Sequence, residues 1–420
     1  MAEGEVRTLD IVALGHRGDG VARGAIHVPF ALPGERVSAF LDGDRARLVE
    51  ILTPAPERAA PICRYFADCG GCAAQHMSAA LYAEWKRGIV ARALRLAGVE
   101  AEVGLLIDAH GEGRRRATFH ARFNGEDAAV GYMRARAHKI VAIDSCPILA
   151  PSMAKALPSA RDIANRMAKL GKPLDIAITA TLGGLDVDIR GAGAPDAALR
   201  AALIGAAERL DLARLSNHGE ILVERRAPKI AMGASEVTPP PGGFLQATAE
   251  AERLIAALAD KALAGGRIAD LFCGVGAFAL RLAERRAIHA VDADGGALAA
   301  LQRAAGETLR LRPISREERD LFQRPLTRQE LKRVNAVLFD PPRAGAAAQT
   351  AEIAASGVPS VVAVSCNPAT FARDARILVD GGYRLVSVAP IDQFRFSPHV
   401  EIVGAFSRAK AAKRAKRILG

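Results

Sequence analysis

The 420-residue sequence has no apolar run long enough to cross a bilayer as a helix, and its opening "MAEGEVRTLD" lacks the charged-then-apolar pattern of a secretory leader. A cytoplasmic location is therefore expected. Only six cysteines are present. In a reducing compartment they are not expected to pair as disulfides, so any that cluster point to metal ligands or catalytic thiols. Acidic residues are in deficit, with 46 Asp and Glu against 57 Lys and Arg and a formal charge of +11. That surplus favours a polyanionic partner such as nucleic acid, although charge alone speaks to association and not to activity. Hydrophobic residues are not scarce: at 50% they exclude a disordered chain and leave room for two or three packed domains.

Between residues 5 and 55, short β-like segments alternate with Gly, Pro and Asp turns at close spacing, the pattern of a small all-β barrel. His16, Arg17 and Arg23 fall in its loops, where as a group they suit phosphate contacts. Next, "CRYFADCGGC" sets Cys63, Cys69 and Cys72 in a C-x5-C-x2-C array, and "IDSCPIL" supplies Cys146. Three thiolates from one loop and a fourth from a distant strand can close around one metal centre, with Gly70 and Gly71 allowing a tight turn. Zinc and a 4Fe-4S cluster both accept four thiolates, and spacing does not separate them. From 107 to 240, alternating segments broken by one helical stretch, Pro151 to Leu170, predict an α+β domain with a mostly antiparallel sheet. Arg114, Arg115, Arg116, Arg134, Arg136 and Lys139 recur along its hairpins, where an electrostatic footprint for phosphates is expected. The proline-rich "VTPPPGG" then reads as a boundary.

The last third reads as a doubly wound α/β domain. "GGRIADLFCGVGAFALRLA" is a short buried strand, a glycine turn and a helix start, in which Gly274 and Gly276 let the backbone approach a ligand at the head of the helix. "AIHAVDAD" ends a second strand in Asp292, where a carboxylate can bind ribose hydroxyls. Asp320 in "ERDLF", Asp340 in "VNAVLFDPPRAG" and Cys366 in "SVVAVSCN" close three more strands. Five strand ends carrying Gly, Asp, Asp, Asp and Cys on one sheet edge indicate a class I, Rossmann-like fold dependent on S-adenosylmethionine. From its own stretch, "VVAVSCNPATFARD", Cys366 reads equally as a small core residue or as a nucleophile at the mouth of a site.

Several of these segments resemble known families. "GHRGDGVARG...IHVPFALPGERV" resembles the TRAM domain, an OB-like RNA-binding barrel. The cysteine array with its following "GGCAAQHM" is similar to the cluster segment of bacterial RNA uracil-5-methyltransferases that carry such a barrel. "DPPRAG", "SCNPATFARD", "DQFRFSPHVEIV" and "GGFLQAT" resemble that family's catalytic signatures, in family order over nearly the whole chain. The resemblance implies methylation of carbon 5 of a uridine, most often in 23S rRNA, with Cys366 as nucleophile and Glu401 as base. Gln246, Phe272, Gly274, Gly276, Asp292, Asp320 and Asp340 would line the S-adenosylmethionine and uracil site. It also implies a structural 4Fe-4S cluster on Cys63, Cys69, Cys72 and Cys146 that performs no methyl transfer. The expected partition is 1–55 for the barrel, 56–76 with 107–240 for the central domain, and 77–106 with 241–420 for the catalytic domain. RNA is the expected partner, and the protein is expected to act as a monomer.

Two positions depart from the family pattern. Thr248 stands where Asn usually follows Phe-x-Gln, and Ala277 where many members have Asn in the glycine motif. Two cofactor contacts are in question as a result. The alternatives are a tRNA uridine-5-methyltransferase and a non-catalytic RNA-binding protein on the same fold; retention of Cys366 and Glu401 argues against the second. A cytosine-5-methyltransferase would place its nucleophile in a Pro-Cys setting that "FDPPRAG" lacks. The basic tail "SRAKAAKRAKRILG", with Lys410, Lys413, Arg414 and Arg417 near one helical face, is expected to assist RNA affinity without setting specificity.

Overall fold

The computed structural model describes residues 5–124, 127–135, 137 and 139–408. They form two compact units. One spans residues 5–90, 105–254 and 390–401; the other spans 91–104, 255–389 and 402–408. The predicted tail cations and Arg136 lie outside the described residues.

The first unit opens with a closed barrel of strands β1 (Val6–Leu14), β2 (Gly20–Ala22), β3 (Ile26–Val28), β4 (Arg36–Asp42) and β5 (Arg45–Thr53), in the order β1-β2-β3-β5-β4. Alternate residues turn inward because side chains on a strand have period two, and Ile11, Val28, Val37, Ala39 and Ala46 fill the interior. The chain leaving the barrel is tied back by Glu35, whose buried carboxylate accepts from the backbone of Leu32 at 2.8 Å and from Arg58 Nη2 at 2.8 Å. Burial works against that charge. Arg58 and the backbone N–H groups outweigh it and hold the Glu35 carboxyl below its ordinary range. Helix α1 (Ala79–Leu96) starts at Ser78, whose Oγ accepts the Leu81 N–H at 3.2 Å, and its Tyr82 and Trp85 pack with Leu32, Ala55 and Met77 beneath the barrel.

The central sheet has the order β13-β12-β11-β10-β7-β8-β9. Its strands are β7 (Arg116–Asn124), β8 (Asp127–Met133), β9 (Ile140–Ala142), β10 (Leu174–Thr181), β11 (Gly184–Arg190), β12 (Arg214–Asn217) and β13 (Glu220–Glu224). All its pairs are antiparallel except β11 with β12, which helix α3 (Ala197–Arg209) connects. The helix expected from Pro151 to Leu170 is broken: only α2 (Ala156–Arg166) is α-helical, flanked by 3-10 turns at Pro151–Met153 and Ala168–Leu170. Helix α2 lays Ala156, Ala160, Ile163 and Ala164 on Phe119, Ile176 and Val187 of the sheet in one apolar cluster. A small hairpin, β14 (Ile230–Met232) with β15 (Ser235–Val237), follows, and β6 (Ile107–Asp108) pairs with Ile391 and Asp392.

The second unit is a doubly wound sheet with the order β18-β17-β16-β19-β20-β22-β21. Strands β16 (Arg267–Leu271), β17 (Ala287–Asp292), β18 (Ile314–Glu318), β19 (Ala336–Phe339) and β20 (Ser360–Ser365) are parallel neighbours, and β22 (Glu401–Ser407) runs antiparallel to β20. Strand β21 (Arg384–Asp392) completes the order. Strands 19 and 20 are buried along their whole length, as parallel strands covered by helices on both faces must be. The helices are α4 (Ala249–Ala262), α5 (Ala279–Ala283), α6 (Gly295–Glu307), α7 (Ala347–Ser356) and α8 (Pro368–Asp380). Successive strands proceed from β16 to β18 in one direction and from β19 to β20 in the other. The reversal between β16 and β19 opens the crevice at the strands' carboxyl ends where ligands bind in such sheets.

Candidate functional site

In the second unit the structure gathers Phe272, Gly274, Gly276, Asp292, Asp320, Asp340 and Cys366 at the carboxyl ends of five adjacent parallel strands. Phe272 adopts φ 61°, which turns the chain out of β16 into the glycine loop, and its N–H reaches Val291 O at 2.9 Å. Gly276, at φ 90°, lies so close to α6 that a Cβ there would stand 2.4 Å from Leu301 Cδ1. Gly274 has open space where its Cβ would be. One glycine is thus needed for packing and the other leaves the loop's outer side clear. Asp292 braces this loop: its Oδ2 accepts the Gly274 N–H at 2.7 Å and its Oδ1 the Asp294 N–H at 2.9 Å. Beside it, Phe322, half exposed, meets the Phe272 ring at 5.4 Å between centroids. Phe322 carries no spacing signal; only its place two residues after Asp320, whose Oδ1 accepts the Phe322 N–H at 2.9 Å, marks it.

Asp270, four residues before Gly274, is fully buried on β16, and burial, followed by the nearby Asp340 and Asp292, pushes its carboxyl well above the usual range.

The two segments "DPPRAG" and "SCNPATFARD" hold each other. Asn367 caps α8, accepting the Ala369 N–H at 3.1 Å, while its Nδ2 donates to Arg343 O at 2.9 Å. Arg373 Nη2 donates to Ala344 O at 3.1 Å, and Asp374 Oδ2 accepts the Ala346 N–H at 2.8 Å. Cys366 therefore sits half-buried in a short clamped turn between β20 and the amino terminus of α8. A helix amino terminus favours negative charge, so this turn suits a thiolate. Its neighbours on β20 are buried, whereas Cys366 itself is partly exposed.

In the first unit, Glu401 and Gln246 are brought together by a residue whose role the motif does not announce. Gln393 Nε2 donates to Glu401 Oε2 at 2.6 Å and to Gln246 Oε1 at 2.7 Å. All three side chains are buried, at 2%, 4% and 1% exposure for Glu401, Gln246 and Gln393. Thr248 is a helix cap: its Oγ1 accepts the Ala251 N–H at 3.0 Å and donates to Ala109 O at 2.6 Å. The Asn-to-Thr departure thus keeps a capping function.

Cys63, Cys69, Cys72 and Cys146 line one cavity of about 160 Å³ in the first unit. Among the described residues no three or more His, Cys, Asp or Glu side chains converge tightly enough for a single metal ion. The space is roughly tenfold that of one water-sized sphere, about 10–15 Å³. Burial pushes the Cys72 thiol up to about 12, and the adjacent Cys146, Cys69 and Cys63 add to it. Gly70 is required by close approach, since a Cβ would stand 2.8 Å from Ala135 N and Met133 O. Gln75 Oε1 accepts the Cys63 N–H at 3.0 Å, and Gly71 N donates to Cys69 Sγ at 3.5 Å. Phe394, Arg395 and Ser397 form part of the same wall.

The expected arginine footprint is only partly at the surface. Arg115 is buried in an ion pair with Glu252 at 2.6 Å, and Arg116 donates to Leu245 O at 2.9 Å beneath the exposed Phe244 ring. Arg134 is exposed and paired with Asp68 at 2.7 Å; Lys139 is exposed. On the barrel, His16 and Arg17 are exposed beside His27 and Arg45 around a concavity of about 220 Å³, while Arg23 stands on a separate turn. No helix among the described residues is long and apolar enough to cross a membrane.

Comparison with known proteins agrees with this architecture. Residues 242–409 match the family model described as tRNA (Uracil-5-)-methyltransferase. A Brucella suis protein named as an uncharacterized RNA methyltransferase is 46% identical, over 98% of this chain and 100% of its own. The 23S rRNA (uracil(1939)-C(5))-methyltransferase RlmD of Aeromonas hydrophila is 32% identical over 91% of each. The crystal structure of the Pyrococcus abyssi tRNA (uracil-54, C5)-methyltransferase in complex with S-adenosyl-L-homocysteine has a TM-score of 0.75 at 22% identity, over 95% of this chain and 99% of that one. The last likeness shows the fold, a methyltransferase sheet preceded by a small barrel. The matches along almost the full sequence show more: the chain is an RNA methyltransferase and belongs to the RNA uracil-5-methyltransferase family.

Proposed function

We propose that this enzyme transfers the methyl group of S-adenosylmethionine to carbon 5 of one uridine in 23S rRNA, with Cys366 as nucleophile and Glu401 as base. The observation that carries the reading is the set of strand ends at the sheet reversal, with the glycine loop, Asp292, Asp340 and Cys366 on one edge. Carbon 5 of uracil is a weak nucleophile. Addition of the Cys366 thiolate to carbon 6 makes the ring an enolate, whose carbon 5 attacks the donor methyl group and releases the sulfur as a neutral thioether. Glu401 then takes the carbon 5 proton, and the returning electron pair expels the thiolate and restores the double bond. The glycine loop, Asp292, Asp320, Asp340, Phe272 and Gln246 would hold donor and uracil. A base stacked in RNA must leave its stack to be reached.

The four cysteines fit a 4Fe-4S cluster better than zinc, because they surround a space larger than one ion. The cluster would brace the protein and take no part in methyl transfer. The barrel of residues 1–55 would contact RNA phosphates through His16 and Arg17. The central region, 56–76 with 107–240, would carry the cluster, and 77–106 with 241–420 would form the catalytic domain, the whole acting as a monomer. The ribosomal substrate is favoured by the similarity to RlmD; the family model's description favours tRNA. Mass-spectrometric mapping of 5-methyluridine in rRNA and tRNA, from cells with and without the gene, decides. Loss of one 23S rRNA site is expected, and loss confined to tRNA would replace the substrate.

A further inference from the structure

The side-chain amide of Gln393 is fully engaged. Its Oε1 accepts the Ala247 N–H at 2.8 Å. A backbone N–H can only donate, so this contact fixes which end of the amide is oxygen. The two N–H bonds of Nε2 then go to Gln246 Oε1 and Glu401 Oε2, at 2.7 and 2.6 Å. The backbone beneath Gln393 is fixed as well. Lys86, at 0% exposure, donates from Nζ to Asp392 Oδ1 at 2.5 Å, to Phe394 O at 3.1 Å and to His399 O at 2.6 Å. Tyr82 OH donates to Asp392 Oδ2 at 2.7 Å and accepts the Phe396 N–H at 2.8 Å. One buried ammonium and one phenol thus grip the residues on both sides of Gln393.

We infer that Gln393 is a positioning residue for Glu401: it fixes the plane of the carboxyl group and favours its ionised form, the state that can accept the carbon 5 proton. This rests on Glu401 being the base proposed above. A hydrogen bond donated to the charged form of an acid stabilises that form, and each pH unit of displacement is a tenfold change in the ionised-to-protonated ratio. An apolar side chain of similar length would fill the volume and do neither. The same amide also sets the orientation of Gln246, so one residue registers both.

The test uses the full-length protein with unmodified 23S rRNA transcript bearing tritium at carbon 5 of uridine, and S-adenosylmethionine. In Gln393→Met, methyl transfer should persist while tritium release falls about tenfold, the covalent protein–RNA adduct accumulates on a denaturing gel, and the acid limb of the release rate moves up by about one pH unit. Gln393→Glu retains the acceptor for Ala247 and so protects folding. It sets a second carboxyl against Glu401, and the acid limb should move further up. Glu401→Gln is run in parallel. Adduct in Glu401→Gln, with methyl transfer and tritium release falling together and the acid limb unmoved in both Gln393 variants, overturns the inference alone. Absence of adduct in Glu401→Gln overturns the base assignment, and the inference with it.

Discussion

Lys86→Met is expected to destabilise the first unit severely, because the charge it removes is matched by a charge it strands. Lys86 has 0% exposure and Asp392 3%. Removing one partner of a buried pair typically costs about 3–5 kcal/mol, most of it from the uncompensated charge left behind. Two more acceptors, the carbonyls of Phe394 and His399, lose their shared donor. For a unit of this size about 2–4 °C follows each kcal/mol, so the melting temperature should fall by roughly 6–20 °C. The diagnostic comparison is Lys86→Met with Asp392→Asn. Replacing both charges removes the stranded carboxylate while leaving Tyr82 a partner, and should recover half or more of the loss. Thermal melts followed by circular dichroism, with S-adenosylmethionine absent, make the measurement. A fall below about 2 °C in the single variant, or no recovery in the double, would refute the reasoning.

Three further outcomes are expected. Gly276→Ala places a methyl group 2.4 Å from Leu301 Cδ1 at a left-handed φ of 90°, so isothermal titration should show S-adenosylmethionine affinity reduced at least tenfold; unchanged affinity would remove the glycine loop from the cofactor site. Glu35 is held below its ordinary range in the folded protein, so its contribution to stability is present above about pH 4.5 and lost as pH falls through the lowered value. The denaturant midpoint of the wild type should exceed that of Glu35→Gln at pH 7, and the gap should narrow by pH 3.5. Protein purified without oxygen should be brown and carry about four irons with matching sulfide. Stoichiometric zinc without iron would reject the cluster.

The sequence made the strand ends legible because short apolar runs stopping at Gly, Asp or Cys record burial and turn chemistry locally. Gly274, Asp292, Asp320, Asp340 and Cys366 stand on one edge for that reason. The barrel was legible from alternation with turns. The interrupted helix around α2 was not, since apolar spacing continues through the 3-10 turns that end it. Arg115 looked like a surface cation, yet its carboxylate partner, Glu252, is 137 residues away in sequence. Lys86 and Asp392 are separated by 306 residues, so no window along the chain could show their pairing. Gln393 lay in a quoted motif without a role, because its contact with Ala247 spans 146 residues.

The central claim is that Cys366 attacks carbon 6 of a uridine. Incubation of the enzyme with S-adenosylmethionine and 23S rRNA transcript containing 5-fluorouridine traps that attack, because fluorine at carbon 5 cannot leave as a proton. Peptide mass spectrometry after nuclease digestion should then find a methylated fluorouridine adduct on Cys366, and none in Cys366→Ala. An adduct on another residue, or full methylation of unmodified transcript by Cys366→Ala, would contradict the account.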